Sequence, residues 1–69
     1  MTRLEAKSAL KTGKKITHKY FNNEEWVRFN PEFPYSLIDQ DGLILNWDEF
    51  WYYRQDPIFD EGWEIYTKT

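Results

Sequence analysis

A small α+β domain, with an antiparallel sheet of four to five strands, an N-terminal helix and a second short helix, is the fold this sequence predicts. Three observations point to it. Thr2 and Glu5 stand at capping-box spacing ahead of a helical apolar pattern. Asp41-Gly42 separates two aliphatic runs, as a hairpin turn does. Further runs rich in β-branched and aromatic residues alternate with the period of a strand. At 69 residues the chain holds one domain, residues 1 to 69, because a domain this short buries only about 60% of the surface its unfolded chain exposes.

Ala6, Ala9 and Leu10 recur at helical intervals behind the cap, and Gly13 suits the position after the last turn, so a helix is expected over about residues 3 to 12. Lys11, Lys14 and Lys15 gather near its end, where the helix dipole favours positive charge. The runs 16 to 21 and 25 to 29, separated by Asn22-Asn23, read as a hairpin, with Val27 and Phe29 on one face of the second strand and Trp26 and Arg28 on the other. Pro31 and Pro34 break the pattern and make a loop, since neither can donate to a sheet. Runs 35 to 40 and 43 to 45 then flank a two-residue turn at Asp41-Gly42. That turn would pair Gln40 with Leu43 and Ile38 with Leu45, leaving Leu37, Asp39 and Ile44 on the opposite face. Asn46 and Glu49 repeat the capping spacing ahead of Trp47, Phe50, Trp51 and Arg54, which predicts the second helix, although the aromatics from Phe50 to Arg54 also suit a strand. Pro57 closes that segment, and residues 62 to 66 give a last strand with Trp63 and Ile65 facing together.

The absence of Cys excludes disulfides and thiolate metal sites. Four Trp, five Tyr and five Phe supply the alternative reinforcement, because each ring can bury roughly 150 to 250 Å². With no apolar run of bilayer length and no signal-peptide core, the expected location is cytoplasmic, with no membrane contact. The net charge of −3 is unevenly spread: residues 1 to 21 carry Arg3, Lys7, Lys11, Lys14, Lys15 and Lys19 against Glu5 alone, while the remainder sets Arg28, Arg54 and Lys68 against eleven acids. Either the two parts attract each other across the fold or they form partner-facing surfaces of opposite sign.

No pattern for catalysis, metal or cofactor emerges. His18 is the only histidine, and neither a nucleophile elbow nor a Cys accompanies it, so it reads as a structural or surface residue. Asp39, Asp41 and Gly42 would match positions three, five and six of a calcium loop, but Leu37 cannot ligate at position one and Asp48 is too short at position twelve. Three well-separated glycines cannot build a phosphate loop. A non-enzymatic binding protein is therefore expected. Trp, Tyr and Arg anchor interfaces, which makes Tyr20, Trp26, Trp51, Tyr52, Tyr53 and Arg54 the contact candidates, with Asp48 and Glu49 as acidic companions. Lys14, Lys15 and Lys19, interleaved with His18, Tyr20 and Phe21, are candidates for phosphate or nucleic-acid contacts.

The order of a short helix, Gly13-Lys14-Lys15-Ile16, a Trp-bearing strand, Asp41-Gly42 and a terminal Gly62-Trp63-Glu64-Ile65 resembles small phage-encoded counter-defence proteins. It is similar, in particular, to a shortened relative of the Thoeris anti-defence 2-like family. That resemblance implies a phage-type inhibitor in a host cell's cytoplasm, acting on a defence system and anti-CRISPR-like in binding a protein effector. A protein is thus the expected partner. A nucleotide-sequestering domain using Lys14, Lys15 or Arg54, an RNA-binding regulator using the basic N-terminal part, and a homodimer all stay open.

Overall fold

Thr2 and Glu5 start the first helix as their spacing requires. In the computed structural model, which describes residues 1 to 67, the Thr2 side chain accepts from Glu5 N at 3.1 Å and Glu5 Oε1 accepts from Thr2 N at 2.9 Å. Helix α1 spans Arg3–Lys11. Its end is closed by Gly13 N donating to Leu10 O and Lys14 N to Ala9 O, the paired bonds that terminate many helices. Strands β1 (Ile16–His18), β2 (Val27–Phe29), β3 (Ser36–Asp39) and β4 (Ile44–Asn46), helix α2 (Trp47–Tyr52), the 3-10 turn η1 (Pro57–Phe59) and strand β5 (Trp63–Ile65) follow. The five strands form one sheet in the order β4-β3-β2-β1-β5, every neighbouring pair antiparallel.

One face of this sheet carries the core. Ile16 opposite Val27, His18 opposite Trp63, and Phe29 opposite Leu37 all lie on it. Ala6 and Leu10 of α1 and Phe50 and Trp51 of α2 close over it. The other face presents Thr17, Arg28, Ile38, Ile44 and Glu64, all partly or fully exposed. The buried face is ring-rich: Trp63 is fully buried, stands 4.9 Å from Trp51 and donates from its indole nitrogen to Phe59 O at 2.7 Å. Packed aromatic pairs add roughly 0.5 to 1.5 kcal/mol each beyond their buried area, which offsets the lack of cross-links.

Two sequence expectations need correction. The hairpin between β3 and β4 pairs Ile38 with Ile44 and Leu37 with Leu45, one residue away from the expected register. Asp39 is the cause: its Oδ1 accepts from both Asp41 N and Leu43 N at 2.9 Å, while Gly42 N donates to Asp39 O. The loop therefore has three residues, Gln40 to Gly42, with Gly42 at φ 81° in the left-handed position that such a bulged turn requires. A one-residue slip exchanges faces, so Leu37 is core and Ile44 is surface. The first hairpin is also shorter than expected, because the chain turns straight after His18. Tyr20 N donates to His18 Nδ1, Phe21 N to His18 O, and Glu24 N to Asn22 Oδ1, drawing residues 19 to 24 away from the sheet. The open choice for residues 50 to 54 resolves as the end of a helix through Tyr52 followed by a turn at Tyr53 and Arg54, the helix started by Asn46 Oδ1 accepting from Glu49 N at 2.9 Å. Beside it, Tyr35 adopts φ 58°, uncommon for a ring-bearing residue, and its carbonyl accepts from Trp47 N at 2.8 Å.

Candidate binding surface

From residue 29 to residue 53 the chain has no Lys, Arg or His, only the acids Glu32, Asp39, Asp41, Asp48 and Glu49. This stretch builds β3, β4 and α2, so these elements bring acids and no cation of their own to one end of the sheet, where Arg54 and, from α1, Lys7 and Lys11 are the neighbouring cations. A groove of about 290 Å³ runs along β4, lined by Ile44–Asn46 together with Glu49, Phe50, Tyr53 and Arg54. Beside it Tyr52 and Tyr53 are 66% and 69% exposed with ring centres 5.3 Å apart, and Ile44 is 57% exposed. Three large side chains at one sheet edge are more apolar surface than scattered exposure requires.

A second cluster forms on the open sheet face. Alternation from Ile16, Val27 and Ile65 places Lys15, Trp26, Arg28 and Tyr66 there together. Lys15 Nζ lies 4.3 Å from the Trp26 ring centre, and Trp26 and Tyr66 are 6.2 Å apart. Arg28 was legible as sharing a face with Trp26, whereas Tyr66 could be placed only once the pairing of β5 with β1 was known.

The predicted contact residues divide. Tyr52, Tyr53, Asp48 and Glu49 are exposed on or beside α2, and Tyr20 is exposed beyond the end of β1, where Lys19 Nζ sits 5.2 Å from its ring. Trp51 leaves the set: it is only 6% exposed, in T-shaped contact with Phe50 and Trp47, with Lys7 over its ring at 5.1 Å. Trp26 is partly buried under Lys15. Arg54 acts as an internal brace, donating from Nη1 to Phe50 O at 3.0 Å with its guanidinium 3.9 Å above the Phe50 ring. Burial pushes that guanidinium below its ordinary value, and nearby Glu25 pulls the other way. Among the basic candidates, Lys14 and Lys15 precede β1 whereas Lys19 follows it, so the three do not form one patch. Among the described residues a single ion pair, Arg3 to Asp60 at 3.1 Å, links the basic N-terminal part to the acidic remainder. Most of the charge division thus stays on the surface.

His18 is 2% exposed and occupied on both ring nitrogens. Nδ1 accepts from Tyr20 N at 3.1 Å, which assigns the proton to Nε2, donating to Glu61 O at 2.7 Å. A ring so held, with Phe59 and Trp63 packed against it at 4.9 and 4.7 Å, is a structural pin. Among the described residues no group of three or more His, Cys, Asp or Glu could hold a metal ion, and no helix is long and apolar enough to cross a membrane. No family model matches the chain, and neither a curated protein nor a solved structure matches it.

Proposed function

We propose that this chain is a non-enzymatic binding protein that docks on a partner protein through the acidic, tyrosine-bearing edge formed by β4 and α2. The observation that carries the reading is the coincidence of Tyr52, Tyr53 and Ile44, all exposed, with a stretch of chain that contains acids and no cation. Rigid tyrosines provide contact area at small entropic cost, and acids gathered at one edge steer an oppositely charged partner and speed its association. The counter-defence role implied by the sequence resemblance gives the partner's class: a host defence effector with a basic, nucleic-acid-binding surface, which an acidic inhibitor would occupy.

The test is affinity capture from a bacterial lysate at moderate salt, comparing the native chain with the Tyr52→Ala/Tyr53→Ala variant. Capture of a basic protein that the double variant loses, and that weakens as salt rises, is the expected result. Equal capture by both chains would overturn the surface assignment.

A second reading rests on the Lys15, Trp26, Arg28 and Tyr66 cluster, which sets two cations and two rings on the open face. Single strands bind such surfaces by stacking bases on rings and pairing phosphates with cations. Anisotropy with a labelled single-stranded oligonucleotide should then show affinity that falls steeply with salt and with Trp26→Ala. Salt-independent binding would remove this reading.

A further inference from the structure

The two edges of the sheet are treated differently. On β5, Met1 covers the first residue: Trp63 N donates to Met1 O at 3.2 Å and the Met1 amine donates to Trp63 O at 2.7 Å. On β4 the pairing with β3 leaves an edge facing outward. Asp39 N donates to Leu43 O and Trp47 N donates to Tyr35 O, which makes 39/43 and 35/47 hydrogen-bonded positions. By antiparallel alternation Ile38/Ile44 and Ser36/Asn46 are then non-hydrogen-bonded positions. The N–H and C=O of Ile44 and the N–H of Asn46 consequently point away from β3. Ile44–Asn46 also line the groove beside α2, with Phe50 and Tyr53 as apolar walls.

From this geometry we infer that β4 is the docking strand, and that the partner adds an extended segment carrying Lys or Arg side chains as a sixth strand along it. The inference rests on the proposed role of the β4 and α2 edge and specifies how that edge is used. Main-chain bonds to Ile44 and Asn46 supply the register, and alternate side chains of the incoming strand fall on the groove and on the open sheet face. Charge selects the occupant. Asp41, Asp48 and Glu49 flank the edge, and no cation occurs between Arg28 and Arg54; Arg54, the one cation lining the groove among the described residues, is held inward by Phe50 O at 3.0 Å and by the Phe50 ring. A second copy would bring two such acidic edges together, and like charges across a strand pair are destabilising; a basic strand meets the opposite sign.

The experiment is an amide NMR titration of the whole chain with a synthetic ten-residue peptide of alternating valine and lysine. Three controls accompany it: the same peptide with glutamate for lysine, a version N-methylated at alternate residues, and the Ile44→Pro variant, which removes the outward N–H at a position not bonded to β3. Expected are shifts at the Ile44 and Asn46 amides, exchange of the Ile44 amide slowed by about tenfold, and loss of both effects in every control. Because N-methylation acts on the peptide, the test holds even if Ile44→Pro fails to fold. Shifts confined to Tyr52 and Tyr53 and indifferent to N-methylation would overturn strand addition while leaving the surface reading standing. No shift at Ile44 or Asn46 up to millimolar peptide would also overturn it. Shifts at Ile44 that depend on protein concentration without peptide would make the occupant a second copy, overturning the basic strand.

Discussion

Replacing His18 by Leu tests whether the one histidine is a structural pin. The side chain is almost fully buried and makes two hydrogen bonds, at 2.7 Å to Glu61 O and 3.1 Å from Tyr20 N, tying the turn after β1 to the segment that leads into β5. Leu fills a similar volume among Phe21, Phe59 and Trp63 but can make neither bond. At roughly 1 kcal/mol net for each bond, the expected loss is about 2 kcal/mol. A domain of this length has only about 3 to 10 kcal/mol in total. Each kcal/mol shifts the midpoint of a small domain by roughly 4 to 8 °C, so thermal unfolding followed by near-UV circular dichroism should show Tm lower by roughly 8 to 16 °C. Hydrogen exchange at the Tyr20 amide should accelerate beyond what the global change explains. Binding by the Tyr52 and Tyr53 surface should persist below the new Tm. A stability change under about 0.5 kcal/mol, within the range of an ordinary surface substitution, would refute the argument that both bonds hold the fold together.

Trp63→Phe should cost about 1 to 2 kcal/mol more than Trp51→Phe in urea unfolding. Both rings are core, but Trp63 Nε1 donates to Phe59 O whereas Trp51 Nε1 is buried without a hydrogen-bond partner. Gly62→Ala should destabilise more than Gly42→Ala by chemical denaturation. Both have left-handed φ, but a Cβ at Gly62 would come within 3.0 Å of His18 Nε2 and 3.1 Å of Lys19, while none of the neighbouring atoms lies within 4 Å at Gly42. Thr2→Ala should remove about 1 kcal/mol through loss of the cap. Acceptance of the Thr2 backbone and side-chain hydrogen bonds holds the Glu5 carboxyl below its ordinary value of 4.5. Its contribution is therefore complete above about pH 4.5 and disappears as pH falls through the lowered folded value. Glu5→Gln should flatten the acid side of the stability profile, as read from unfolding midpoints across pH.

Local chemistry was legible in the sequence wherever a few adjacent residues suffice to satisfy the backbone. The caps at Thr2 and Asn46 needed only spacings of three, the break at Pro31 and Pro34 needed only missing donors, and the α+β class followed from those elements. The β3–β4 register was misread because Asp41-Gly42 taken alone favours a two-residue turn. The deciding group was the Asp39 carboxylate just before it, which binds two amides of the loop. The exposure of Ile44 was lost with the register, and with it the edge on which the binding proposal now rests.

The number of rings in this chain and the acidity of residues 29 to 53 belong to the sequence alone. Which rings are surface and which are core was decided only by tertiary structure. Trp51 and Tyr52 are adjacent on one short helix, yet one packs 4.9 Å from Trp63 and the other faces solvent. The cause is that α2 has a single face turned to the sheet, and its rotation is set by contacts with strands distant in sequence. Likewise, which strand lies at the edge depends on the order β4-β3-β2-β1-β5, a consequence of long-range pairing that local pattern does not encode.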